Sequence, residues 1–181
     1  MKKMLTGAIL GAIFLFIYQF LSWGALELHY SQMQHTPNQA EILEALDGKL
    51  EPGVYMLPRT AQGAPQEEAE ALYEQYLGKS WARIEYHDDL NYSMGMNLIR
   101  GFVVNFVACL LLMWLLMQFR EVNMSKSIIA ALSVGSIGFL TSTYLNSIWF
   151  ELNTLPDLLD VLISWVGVGA ILGFIVPKNP S

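Results

Sequence analysis

The run GFVVNFVACLLLMWLLMQF, residues 101–119, contains no charged side chain. Few small soluble domains have an interior that buries a helix of that length on every face. A bilayer does, and its hydrocarbon takes roughly 20 apolar residues to cross. Every backbone amide there must be bonded within its own helix, so the run is constrained to be a transmembrane helix. Three other stretches meet the same requirement, and the four expected spans are residues 5–26, 98–119, 128–150 and 158–176. The whole chain agrees: 54% of its 181 residues are hydrophobic, 14% are charged, and the mean hydropathy is +0.38. The expected fold class is therefore membrane α-helical, a four-transmembrane-helix bundle with a small extracytoplasmic α+β domain between helices 1 and 2.

Charge sets the orientation. An even number of spans puts both termini on one side, together with Lys2, Lys3, Arg120, Lys126 and Lys178, against the single acid Glu121. The segment 27–97 carries twelve acids against four bases, and the stretch after the third span adds Glu151, Asp157 and Asp160. Basic loops stay in the cytoplasm, which predicts cytoplasmic N- and C-termini in a bacterial inner membrane. The expected domain map is a first helix over 1–26, an outer domain over 27–97, a second helix over 98–119 and a cytoplasmic loop over 120–127. A third helix follows over 128–150, then an outer turn over 151–157, a fourth helix over 158–176 and a cytoplasmic tail over 177–181. The first apolar stretch is longer than a signal-peptide core and lacks an A-x-A cleavage site, so it reads as a retained signal anchor. The one cysteine, Cys109, lies mid-span and excludes an internal disulfide. An exported domain without disulfides fits a bacterial membrane better than an animal cell surface.

Small and polar residues recur at helical spacing on each span, the pattern through which helices approach one another in lipid. These stripes predict one compact bundle, with the glycines at 7, 11, 169 and 173 left over for a homo-oligomer or another subunit. Gln19, Asn105, Asn146 and Asp160 all fall in the outer halves of their spans, and Arg100 opens the second span at that level. A charge at such depth needs a partner or water. The expectation is an outward-facing polar pocket in which Arg100 pairs with Asp160. The competing reading, preferred here, is that Asp157 and Asp160 merely favour the helix start after Pro156.

Residues 27–97 read as a small α+β module. Thr36 and Pro37 predict a helix start and Gly48 a stop; the segments around VYML and ARIEY predict two strands, with a second helix between them ending at Gly78. The two helix-Gly-Lys-strand halves echo each other at an offset of 30 residues, as duplication or coincidence produces. The strands are expected to pair in parallel across the intervening helix.

The candidate metal ligands are His29, Met33, His35, His87, Met94 and Met96. His29 and Met33 would lie at i, i+4 on a continued helix, and imidazole with thioether suits copper. The competing reading, preferred here, places His29, Tyr30 and Trp23 in the headgroup belt. No catalytic triad, phosphate loop or dinucleotide fingerprint is present in the sequence. The acidic outer segment disfavours nucleic acid as a partner. The expected function is a non-enzymatic accessory or interaction protein with no catalytic residues and no cofactor. It would be held in the lipid bilayer, recognise its target through the outer domain, and dock a larger membrane complex or a second copy. The alternatives are a transporter or channel subunit using the outer pocket, and a periplasmic-side copper-binding protein.

Overall fold

A computed structural model describes residues 1–176; the expected tail, 177–181 with Lys178, lies outside the described residues. The chain is mostly helical, with four helices long and apolar enough to cross a membrane and one two-stranded sheet. The described residues divide into two units, one formed by residues 1–34 and 93–176 and the other by residues 35–92.

In the first unit, α1 spans Lys2–Phe20 and widens into a π-helical turn over Leu21–Ala25. Helix α4 spans Met94–Leu116, and α5 spans Met124–Gly138. A second π-helical stretch, Phe139–Tyr144, leads from α5 into α6, Leu145–Phe150. Helix α7 spans Leu155–Ile175. Each start or stop has a local cause. The Asn123 side chain accepts a hydrogen bond from the Lys126 amide at 2.8 Å and caps α5. Pro156 sits in the first turn of α7, where its missing N–H is harmless, and Asp157 complements the positive end of that helix. Around the second π-helical stretch, the Thr141 and Ser142 hydroxyls donate to the carbonyls of Ile137 and Gly138, both at 2.7 Å. Such back-bonding bends helices while keeping carbonyls satisfied in lipid.

The expected compact bundle is corrected to an open one. The helices pack in the order α4, α1, α7, α5, and α4 and α5 hardly touch along their lengths. The core is built from Ala8 and Leu15 of α1, Cys109, Leu112, Met113 and Leu116 of α4, Ala131 of α5, and Val168 and Leu172 of α7. The glycines expected to serve another subunit instead close these internal seams. Gly7 faces the Met113 side chain and Gly11 faces Cys109, while Gly173 faces Met124 and Ser127. Gly169 shows the reason most sharply: a Cβ there would lie 2.6 Å from the Ile128 Cα and 3.1 Å from the Ser127 carbonyl oxygen. Backbone cannot swing aside as a side chain does. Apolarity alone gives helices no preference for each other over lipid tails, so this close approach and a 2.8 Å hydrogen bond from the Ser127 hydroxyl to the Gly169 carbonyl hold α5 on α7.

In the second unit, α2 spans Gln39–Leu46, β1 Gly53–Leu57, α3 Gln66–Tyr76 and β2 Ala82–Tyr86. Helix α2 begins two residues later than the Thr36–Pro37 signal predicts; Thr36 instead accepts from the Asn38 amide in a turn. Gly48 and Gly78 follow the two helices with φ of +67° and +74°, the left-handed conformation that ends a helix and favours glycine. The strands pair antiparallel, with Gly53 opposite Tyr86 and Leu57 opposite Ala82, which corrects the parallel expectation. The connection through α3 is long enough for either direction, and antiparallel pairing is somewhat more stable per residue. Tyr86 is the one buried side chain in residues 35–92.

Candidate functional site

The strongest concentration of polar interactions in the first unit is centred on Asp160, in the second turn of α7. Tyr18 and Ser22 lie one helical turn apart on α1 and its π-helical extension, so they share a face. Their hydroxyls donate to Asp160 Oδ1 at 3.0 and 2.7 Å. Beyond Ala25 the chain turns back on itself: the Leu28 amide donates to the Ser22 carbonyl, and Glu27 adopts a φ of 49°. A 3₁₀ turn over Tyr30–Gln32 follows. This reversal lays His29 over the carboxylate, and its Nε2 donates to Asp160 Oδ2 at 2.9 Å.

The other imidazole nitrogen is also committed. Gln32 Nε2 donates to the Asn153 carbonyl at 2.7 Å and to the Asp157 carboxylate. Its oxygen is thereby turned toward His29, and accepts from Nδ1 at 2.6 Å. Both ring nitrogens face acceptors, an arrangement that only the doubly protonated imidazolium satisfies. Burial presses the His29 pKa down, but the hydrogen bonds to Gln32 and Asp160 and the negative charges of Asp160 and Asp157 outweigh it. The net result is a pKa raised above the ordinary 6.5. Trp23 stacks flat on the ring, with centroids 3.9 Å apart and planes 5° from parallel, which favours the cation further. Asn153 adds a hydrogen bond to Ser31 at 3.0 Å. The cluster therefore fastens the segment after the first span to the start of the last.

The residues expected to form the outer pocket are only partly brought together. Gln19 and Asn105 form a reciprocal amide pair between α1 and α4, at 2.8 and 3.2 Å. Gln19 and Asp160 line one cavity of about 640 Å³ with Phe16, Phe20, Trp23 and Asn97, and its walls are mainly apolar. Asn146 is exposed on α6 and does not line it, and Arg100 is exposed on α4. The ion pair expected between Arg100 and Asp160 is replaced by the pair between His29 and Asp160. Among the described residues, every buried side-chain nitrogen and oxygen has a hydrogen-bond partner.

The expected soft-ligand set does not assemble either. His29 and Met33 do not share a helical face, because the chain between them is the reversal and the 3₁₀ turn; Met33 is exposed. Met94 and Met96 are exposed on the first turns of α4. His35 is exposed, and His87 lies 3.5 Å from Glu85 at the end of β2. Among the described residues no group of three or more histidine, cysteine, aspartate or glutamate side chains is placed to hold a metal. The role of His29 was the feature the sequence reading missed. Tyr18 and Ser22, four residues apart, share a helical face that aims both at one neighbour; no such spacing reaches His29, which lies beyond the helix end.

No protein-family model, curated protein or solved structure matches this chain.

Proposed function

We propose that this chain is a non-enzymatic membrane interaction protein, anchored by its helices and recognising a protein partner through the module of residues 35–92. The observation that carries the reading is the surface of that module. Leu43, Val54, Tyr73, Leu77 and Leu90 are each more than half exposed, in a module whose one buried side chain is Tyr86. A unit this small gains little from its own core, and five largely exposed apolar side chains on it favour burial against a partner. The same module holds a concave region of about 970 Å³ lined by Glu44, Asp47, Glu85, Asp88 and Asp89 beside Ile84 and Leu90. Acid around apolar surface favours a partner that presents basic and apolar groups together.

The setting we propose is a bacterial inner membrane with both termini in the cytoplasm and the module outside. The distribution of lysine and arginine supports this, since Lys2, Lys3, Arg120 and Lys126 gather at one end of the helices. The transport reading draws less support. Asp160 already accepts three hydrogen bonds and is closed over by His29, rather than facing an open polar path. The copper reading would require His29 to give up Asp160 or Gln32.

The test is chemical crosslinking in intact cells, then purification in mild detergent and mass spectrometry of the full-length chain and of Leu43→Glu and Leu77→Glu variants. A stoichiometric partner lost from the variants, with membrane insertion unchanged, is the expected result. A chain recovered alone in every case, or one partner retained equally by all variants, would refute the recognition role.

A further inference from the structure

The end of α1, the start of α4 and the second turn of α7 border a cavity of about 640 Å³. Its walls are mainly apolar and include the rings of Phe16, Phe20 and Trp23. Gln19, Asn97 and Asp160 supply its polar atoms, and among the described residues no lysine, arginine or histidine lines it. We propose that this cavity holds the primary ammonium headgroup of an aminophospholipid such as phosphatidylethanolamine, with the lipid phosphate at Arg100.

Three observations carry this. The first is charge. The carboxylates of Asp157 and Asp160 share one imidazolium, that of His29, through Gln32 and directly, so the latch keeps a negative charge in excess. A cation is favoured where Asp160 meets the cavity, and aromatic faces attract it further. The second is hydrogen-bonding capacity. A carboxylate offers about four acceptor positions. Asp160 uses three, for Tyr18, Ser22 and His29, and its side chain keeps 19% exposure. The Gln19 oxygen accepts from Asn105 and retains a second lone pair. Asn97 adds an exposed amide oxygen. Acceptors from three side chains, with no cation among them, suit the three N–H donors of a primary ammonium. The third is depth and room. The lining residues lie at the end of the first span and at the starts of the second and fourth, which is the headgroup level. Arg100 is exposed there, in the same turn of α4 as Asn97. A zwitterionic headgroup brings an anion for Arg100 as well as a cation for Asp160, whereas a free amine brings only the cation. A Cβ at Gly101 would meet nothing within 4 Å, so the cavity has space on its α4 side. The inference is independent of what the 35–92 module binds.

The experiment is native mass spectrometry of the full-length protein released from detergent micelles, after incubation with equal amounts of phosphatidylethanolamine and phosphatidylcholine carrying the same tails. The two differ only in the three methyl groups that replace the N–H donors. Loss of one charge-assisted hydrogen bond corresponds to about tenfold, so the wild type is expected to retain phosphatidylethanolamine about tenfold better. Asn97→Leu removes one acceptor outside the latch and is expected to cut that preference severalfold. Arg100→Gln is expected to lower retention of both lipids alike, because both carry the phosphate. Lys126→Gln removes a charge at the opposite end of the helices and is expected to change neither. Gly101→Leu fills the cavity and is expected to lower retention of both lipids, with Cys109 exposed on heating no earlier than in the wild type. Soluble glycerophosphoethanolamine, which has the headgroup but no tails, is expected not to displace the lipid at equal concentration. The proposal is overturned by equal retention of the two lipids by the wild type, by an unchanged preference in Asn97→Leu, or by unchanged retention in Gly101→Leu. It is also overturned by equal losses in Arg100→Gln and Lys126→Gln, or by displacement with the tail-less headgroup.

Discussion

Replacing Gly169 with alanine tests the packing of α5 on α7 at its tightest point. The new methyl would sit 2.6 Å from the Ile128 Cα, 3.0 Å from the Ala131 Cβ and 3.1 Å from the Ser127 carbonyl. The nearest obstacle is backbone, so α5 must withdraw by about 1 Å to restore ordinary contact, and overpacking of this kind costs about 1–3 kcal/mol. The withdrawal also stretches the 2.8 Å hydrogen bond from Ser127 to Gly169, worth about 0.6–1.7 kcal/mol in a membrane. Against these stands the intrinsic gain of alanine over glycine in a helix, about 1 kcal/mol. The net expectation is a loss of about 1–3 kcal/mol. Gly138→Ala makes the internal control: it gains the same helical preference and meets nothing within 4 Å, so it should stabilise by up to about 1 kcal/mol. The sole thiol, Cys109, is fully buried and supplies the readout. A fluorogenic maleimide added during a thermal ramp in detergent reports when it becomes exposed. Thiol exposure should come at a lower temperature than wild type for Gly169→Ala and at a slightly higher one for Gly138→Ala. Equal midpoints for the two variants would refute the claim that a close backbone approach holds this seam.

The His29 latch predicts a pH dependence of defined sign. Its folded pKa is raised above 6.5, so its stabilisation is complete below about pH 6.5 and is lost as the pH rises through the folded value. The melting midpoint should therefore fall over that interval, and His29→Gln should flatten the profile; a midpoint that rises there would contradict the assignment. Asp160→Asn removes the carboxylate paired with His29, leaving only the charge of Asp157 nearby, and weakens the acceptor for Tyr18 and Ser22. A loss of about 2–4 kcal/mol is expected in the same thiol-exposure melt, with Arg100→Gln near neutral. Asn105→Leu strands the Gln19 amide at the α1–α4 seam and should cost about 0.6–2 kcal/mol, much of it recovered in Gln19→Leu, Asn105→Leu.

The four spans were legible because lipid imposes a coarse and strict rule, an uncharged run of sufficient length. Helix stops at Gly48 and Gly78 were legible because both need a left-handed φ that glycine adopts freely. Asp160 stood out as a carboxylate within an apolar span, but its partner did not. Arg100 had the right charge at the right depth, whereas His29 lay beyond the end of a helix. What brings His29 back is the widened turn at Leu21–Ala25 and the positive φ of Glu27, neither of which has a strong residue signature. The glycines of α1 and α7 were visible as close-packing devices; which neighbour they approached depended on the order α4, α1, α7, α5, a tertiary fact that spacing alone does not encode. The direction of the β1–β2 pair was illegible for a similar reason, since the length of the α3 connection allows both.

The proposed membrane setting requires an even number of crossings, with residues 63 and 151 outside and residue 125 inside. Cysteine mapping tests it directly. In a Cys109→Ala background, single cysteines are placed at Gly63 in the module, Ser125 at the start of α5, and Glu151 between α6 and α7, then exposed to a membrane-impermeant maleimide in intact cells. The predicted result is labelling at 63 and 151 from outside, and at 125 only after the membrane is opened. Labelling of 63 and 125 from the same side would contradict the account.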